Sequence, residues 1–459
     1  MGLFNNNIEV DEGNPFGDDN LFRKIEIKNL TNLFEVVDNQ MVLAINSPWG
    51  TGKTTFLRIW ESFLKSNDEL KSKYEVIYFN AWENDDCLDP LVSIMGEMKE
   101  SIEEVNKTNW DNIKEKGKKL VKKLTPVVIK VATAGLVSPN DVHLDDKVKD
   151  SIIDVSGNLF DVDEYVEQKE IRKEFEKELK EYQEKLGKTV IFFIDELDRC
   201  RPTFAIETLE RVKHLFNLEN FIFVLGIDKE SLSNSIKVIY GNGTDINGYL
   251  ARFIDVEYNL SDVHLKYYPE DLVKKYFATC MMDRSVYYNL THIIPKIIEL
   301  FKLSLRDMQK IVVTLYLILK PNTIYTDTSE LYLITFLLIL KKVDKNLYIQ
   351  IKNRQIKLKE LIERLDTKIC AKKWFAENEI APVLRAHLID ILCDIDVYNE
   401  LLSKSQAFEE LEKENKTIKV NKYKQCLENC HDLNNVTKQG ESQIRLKKIT
   451  KMVDFYGNF

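Results

Sequence analysis

The stretch INSPWGTGKTTFLRIW, residues 45–60, decides how this chain is read. The run MVLAIN at 41–46 is apolar throughout and ends at a loop, the pattern of a strand buried on both faces of a parallel sheet. Residues 53–66 continue with helical spacing. Between them, Gly50 and Gly52 let the backbone approach an anion and turn its N–H groups inward. Lys53 is then placed to reach the β- and γ-phosphates of a nucleotide, and Thr54 to ligate Mg²⁺. The helix starting at Lys53 points its positive end at the same phosphates. The usual pattern is G-x-x-x-x-G-K-[ST], and here Ser47 stands at the first glycine. A serine costs something there only if the entry turn needs φ > 0. The expected cradle is Ser47, Pro48, Trp49, Gly50, Thr51, Gly52, Lys53, Thr54 and Thr55.

Three more apolar runs read as strands: EVIYF at 75–79, TVIFFI at 189–194 and FIFVLGI at 221–227. Helical patterns separate them, such as 203–216, so the fold class is α/β with a mostly parallel sheet. In such sheets ligands bind beyond the carboxyl ends of the strands. The third run ends in Asp195-Glu196. Asp195 is placed to hold Mg²⁺, and Glu196 to polarise an attacking water as general base. Asp228 ends the fourth run, where it can orient water or Lys53, and Asn80 and Trp82 end the second. Asp198 can tie the loop down or face a neighbour. Arg199 can pair with acids or reach across a subunit interface.

The segments PWGTGKTT, YFNAWEND, FFIDELDRC and FVLGID, in that order, resemble the KAP family of P-loop NTPases over roughly residues 14–320. Trp49 and the LDRC tail carry the likeness most sharply. The resemblance implies a P-loop core of the branch that places an extra strand between the two nucleotide motifs, shared with AAA+ and STAND ATPases. It implies ATP as substrate, since no N-K-x-D element follows the fourth run to specify guanine. It also implies roles in signal-responsive assembly, including defence against phage. Arg252 in YLARFID and Arg306 in SLRDMQK match places where such proteins carry charge-neutralising basic residues. Phe16 or Leu21, ahead of the first strand, is where this fold class lines the base.

Residues 80–188 are too many for one crossover, so an insertion is expected over about 100–187. It holds an apolar segment at 124–137 that contains Lys130, and it closes on a charged stretch, 164–188, read as a solvated helix. The expected organisation is a core over 1–262, a helical lid over 263–345 and a helical domain over 346–459. The apolar run 331–340 is short enough to be a buried helix, and no segment reaches the roughly 20 apolar residues of a membrane span. A net charge of −9 argues against a general nucleic-acid coat, although 416–425 and 438–452 form a basic tail that could meet nucleic acid or an acidic partner. Seven scattered Cys and a polar start suggest reduced thiols in a cytoplasm. Cys426, Cys430 and His431 fall short of the about four ligands that zinc takes. These features describe an ATP-driven switch acting on a protein partner or on its own oligomer, without integral membrane insertion. The alternatives are a scaffold that binds ATP without hydrolysing it, and a peripheral membrane protein anchored through 124–137.

Overall fold

Alternation within each apolar strand decides how the layers stack. The computed structural model describes residues 10–133, 162–261, 267–278, 284–320, 328–365 and 439–456, with isolated gaps, and a few positions between 384 and 392. Five strands form one parallel sheet: β1 (Met41–Asn46), β2 (Tyr74–Asn80), β3 (Thr189–Asp195), β4 (Phe221–Ile227) and β5 (Val256–Asn259). Their order is β2-β3-β4-β1-β5, so β4 lies between β1 and β3. That is the extra strand the resemblance implied.

Leu43, Ile45, Ile191, Phe193, Ile222 and Val224 face one side, with α1 (Lys24–Phe34) and α2 (Lys53–Ser66). Trp60 of α2 centres this layer. Its ring stacks on Phe34 at 5.2 Å, and its Nε1 donates to Thr31 Oγ1 at 2.9 Å. A short helix, α3 (Asp68–Lys73), leads into β2. Val42, Ala44, Phe192, Ile194, Phe223 and Leu225 face the other side. There they meet α4 (Pro90–Val105), α7 (Pro202–Leu215) and α8 (Lys229–Tyr240).

The long connection from β2 to β3 is helical. Helix α4 runs unbroken through residue 100 and ends at the C-cap Asn106. Beyond it the connection consists of α5 (Lys107–Thr133) and α6 (Val162–Leu186), with 134–161 outside the described residues. The apolar segment 124–137 enters the last turns of α5. The expectation of a solvated helix over 164–188 needs correction. Ile171, Phe175, Leu179 and Tyr182 repeat at three and four along α6 and are buried in the same core as the sheet. The charges lie on the remaining faces, and their abundance hid the apolar stripe. The Tyr182 hydroxyl is hydrogen-bonded to Ser101 of α4.

Strand β5 was not legible. VEYN is short and polar because it is an edge strand, exposed along much of its length. Polar bonds fix it in place. The Asp255 carboxylate accepts from the Val42 N–H at 2.8 Å, and Asn46 Nδ2 donates to Asn259 Oδ1 at 2.8 Å. A five-residue helix, α9 (Ile246–Leu250), precedes it.

The chain divides into two compact units, one up to Ser261 and one from Asp262 onward. Among its described residues the second is helical, with α10 (Tyr268–Phe277), α11 (Arg284–Ile298), α12 (Leu305–Leu319), α13 (Thr328–Val343), α14 (Lys345–Lys352) and α15 (Gln439–Tyr456). The apolar run 331–340 lies in α13, which is buried as expected. The basic stretch 438–452 is not a loose tail over its described part. Leu446, Ile449 and Val453 of α15 are buried, and Asp454 pairs with Lys341 and Lys352. Residues 416–425, Cys426, Cys430 and His431 lie outside the described residues.

One buried ion pair joins two helices of the core. Asp89 caps α4 through the Leu91 N–H and takes both Arg211 Nε and Nη2, at 3.2 and 3.0 Å. Glu207 lies one turn before Arg211. Burial pushes its carboxyl up to about 7, with Arg211 pulling the other way. A carboxyl raised in the fold gives stability that is fully present below its unfolded value and lost as pH rises through about 7. Glu207→Gln is expected to flatten that loss between about pH 5 and about pH 8 in urea titrations. Equal losses in wild type and variant would contradict it.

Candidate functional site

The loop after β1 answers the question that Ser47 raised. Gly50 and Gly52 take φ of 79° and 92°, values that side chains resist. Ser47 is not among the residues with positive φ, so a serine there carries no backbone strain. It also ties the loop together. Its N–H donates to the Ile227 carbonyl at 3.1 Å, and its Oγ shares a 2.5 Å hydrogen bond with Thr51 Oγ1. Thr51 in turn donates to the Pro48 carbonyl at 2.7 Å. Gly52 caps α2 without a side-chain bond, so no side chain competes for the N–H groups of the first turn. Thr54 and Thr55 are the second and third residues of that helix.

Lys53 is 8% exposed, and its Nζ donates to the Ser47 carbonyl at 2.5 Å. Burial holds its pKa below the usual lysine value, opposed by the charges of Asp198, Asp228 and Asp195. The loop and the strand ends are thus brought together around one ammonium.

Asp195 ends β3 fully buried. Its Oδ2 accepts from the Tyr78 hydroxyl at 2.7 Å and its Oδ1 from the Glu196 N–H at 2.8 Å. Glu196 then turns left-handed, with φ 61° and ψ 24°. Such a backbone costs of order 1–3 kcal/mol in a residue with a side chain. The turn sends the Glu196 carboxylate to Arg199 Nη1 at 2.8 Å. Burial raises the Glu196 pKa, and Arg199 and a hydrogen bond from Asn80 oppose the rise.

A 3-10 turn, Leu197–Arg199, follows. Tryptophans engage two of its side chains. Trp49 of the loop donates its indole N–H to Asp198 Oδ2, and the Arg199 guanidinium lies 5.6 Å from the Trp82 ring centre. Asp198 therefore ties the loop down and Arg199 pairs with an acid, one of the two roles open to each from sequence. Asn80 Oδ1 accepts from the N–H groups of Trp82 and Glu83, at 3.1 and 3.3 Å. Arg201 binds both carboxylate oxygens of Asp85 beyond, through its Nε and its backbone N–H at 3.1 Å each.

The model of the KAP family P-loop domain matches residues 23–321, well over half of the sequence. The chain belongs to the KAP family. It carries that family's nucleotide-binding P-loop NTPase domain. No curated protein matches the sequence closely enough to be named beside it.

Not every residue assigned from sequence reaches the KAP domain's phosphate edge. Asp228 does, but it also caps α8, accepting from the Glu230 and Ser231 N–H groups at 3.1 and 3.3 Å. Arg252 does not. Residues 256–259 of β5 pair with 43–46 of β1, so residue 252 precedes the strand, at the amino-terminal edge of the sheet. The phosphate loop is at the opposite edge, and Arg252 is not assigned to its own chain's phosphates. Phe16 packs on Phe63 at 5.2 Å. Phe63 lies ten residues along α2 from Lys53, roughly 15 Å at helical rise. This placement uses Phe16 for packing rather than for a base. Leu21 is buried. Arg306 is the exposed second residue of α12, in the other unit, behind the N-cap Ser304.

Among the described residues no cluster of three or more His, Cys, Asp or Glu forms a metal site by itself. A magnesium ion here would draw on nucleotide oxygens besides Thr54 and Asp195, which suits a hard cation that binds one or two carboxylates plus phosphates. No helix among the described residues is long and apolar enough to cross a membrane.

Two further residues matter that sequence reading missed. Tyr78 orients Asp195, and its ring carries the Arg58 guanidinium 3.3 Å from its centre. Gly226 gives Asp195 room: an added Cβ would meet Leu57 Cδ1 at 2.6 Å and Asp195 Oδ1 at 2.7 Å. Only the strand order, which sets β3 beside both β2 and β4, exposes either role. Gly226→Ala is expected to destabilise the core by about 1–3 kcal/mol, the usual cost of overpacking, in denaturant titrations. An unchanged midpoint would show that Leu57 and Asp195 yield freely.

Proposed function

We propose that this KAP-family chain is an ATP-hydrolysing switch that uses Mg²⁺. The carrying observation is the convergence on Lys53: a buried ammonium at the mouth of the loop, with Asp195, Asp198 and Asp228 acting on it. Lys53 and the loop N–H groups would bind the phosphates, with Thr54 and Asp195 holding the metal. When bound, Mg²⁺ supplies a positive charge that offsets charge developing on the transferred phosphoryl oxygens. Glu196, with its raised pKa, would accept the proton of the attacking water once free of Arg199. Arg306 would add positive charge from the other unit, and lid closure would couple the cycle to a protein partner or a second copy. Signal-responsive assembly, including defence against phage, rests on the family resemblance, as does ATP over GTP, and a cytoplasmic location rests on the seven scattered Cys.

A non-hydrolysing scaffold is the second reading. The Glu196–Arg199 ion pair favours it, because it occupies the base that hydrolysis needs.

Phosphate release with Mg-ATP separates the two. Wild type should turn over, and Glu196→Gln should bind nucleotide with turnover lowered at least a hundredfold, about the span of a lost general base. Binding without turnover in both proteins supports the scaffold. Lys53→Ala should abolish tight nucleotide binding in equilibrium titrations. Retained micromolar affinity would remove Lys53 from the phosphate site. Arg306→Ala should weaken hydrolysis more than binding, and equal loss of both would place the residue in the fold.

A further inference from the structure

The phosphate loop and the acidic turn follow strands that are not neighbours. Strand β4 separates β1 from β3, which sets their ends roughly 9–10 Å apart. The bonds of Ser47, Thr51 and Lys53 close within the loop or onto β4. The indole N–H of Trp49 instead passes over the end of β4 to Oδ2 of Asp198.

Both partners are unusual for their surroundings. Trp49 is 51% exposed at the loop tip, so packing does not explain a tryptophan there. Asp198 is 5% exposed, and its Oδ1 has no hydrogen-bond partner among the described residues. Burial opposes its charge, which Lys53, the Trp49 indole and the backbone N–H groups of residues 198 and 228 favour, so losing the indole matters. Asp198 is also the acid whose charge acts most strongly on Lys53. One carboxylate therefore touches the loop at its tip through Trp49 and influences it at its end through Lys53.

We infer that Trp49 and Asp198 form a latch that holds the phosphate loop in its binding shape, making Trp49 a positioning residue for nucleotide binding. A loop built on two left-handed glycines samples many shapes when free, and fixing it beforehand lowers the entropy cost of binding. The inference rests on the nucleotide-binding part of the proposed function and not on hydrolysis.

A double-mutant cycle on the full chain tests it, using a non-hydrolysable ATP analogue with Mg²⁺. Trp49→Phe keeps a ring and loses the donor. Asp198→Leu removes the acceptor and the buried charge at similar volume. Trp49→Phe alone should weaken analogue binding about tenfold, the scale of a hydrogen bond to a charged group. In the Asp198→Leu background the same change should weaken it less than about twofold. Equal losses in both backgrounds, or no loss in the first, would overturn the latch. Thermal midpoints of the four proteins identify a variant that has simply failed to fold. The Trp49 emission, taken as wild type minus Trp49→Phe without nucleotide, gives a second readout. It should shift in Asp198→Leu, and an unchanged emission would also overturn the latch. A wild type that binds no analogue would sink the proposed function, and the emission shift would still decide whether the latch exists.

Discussion

A buried ammonium is the constraint around which this site is organised. Lys53 has left most of its water and gained one carbonyl oxygen as a direct partner. That exchange is unfavourable for a cation, and it lowers the lysine's pKa. Acids on β3, on the turn after it and on the end of β4 offset part of the cost without contacting Nζ in any described bond. The arrangement is a charge held ready in a dry place, which suits phosphate better than any residue now beside it. The cap that Asp228 forms on α8 and the close approach of Gly226 to Asp195 hold two of these acids in place.

The sheet and the phosphate loop were legible in the sequence because their signals are local. MVLAIN, TVIFFI and FIFVLGI are buried on both faces and show it in composition alone. What was lost depended on neighbours. Strand β5 is held by Asp255 and Asn46 rather than by apolar content, so its four residues read as coil. Helix α6 carries a buried stripe beneath so many charges that counting charge pairs missed it. Within the site, loop and acids were readable as a motif, whereas Tyr78 and Gly226 required the strand order. Arg252 was chosen for its place after YL, and only the pairing of β5 with β1 shows which edge of the sheet it occupies.

The excursion between β2 and β3 is integral to the molecule. Its helices α5 and α6 contribute Trp110, Ile113, Leu120, Phe175 and Tyr182 to the same core as the sheet. An appended module would leave its own core separate. Strain in this hairpin would therefore reach α4, and from there the segment bearing Asn80 and Trp82. In the other unit, α15 gives a comparable lesson. A stretch rich in lysine closes an apolar helical core, with its basic side chains fanned outward from one buried stripe.

The Asp89–Arg211 pair has a consequence for how such a chain can change over generations. Two ions fully inside a helix interface stabilise it only as a couple, and removing either one strands the other at a cost of about 3–5 kcal/mol. Replacing both with apolar side chains could be neutral, but the path runs through an intermediate that most marginally stable domains would not survive. Drift at these two positions should therefore be rare and correlated. The interface of α4 with α7 then behaves as a heritable unit, fixed less by present usefulness than by the barrier on every single step away from it.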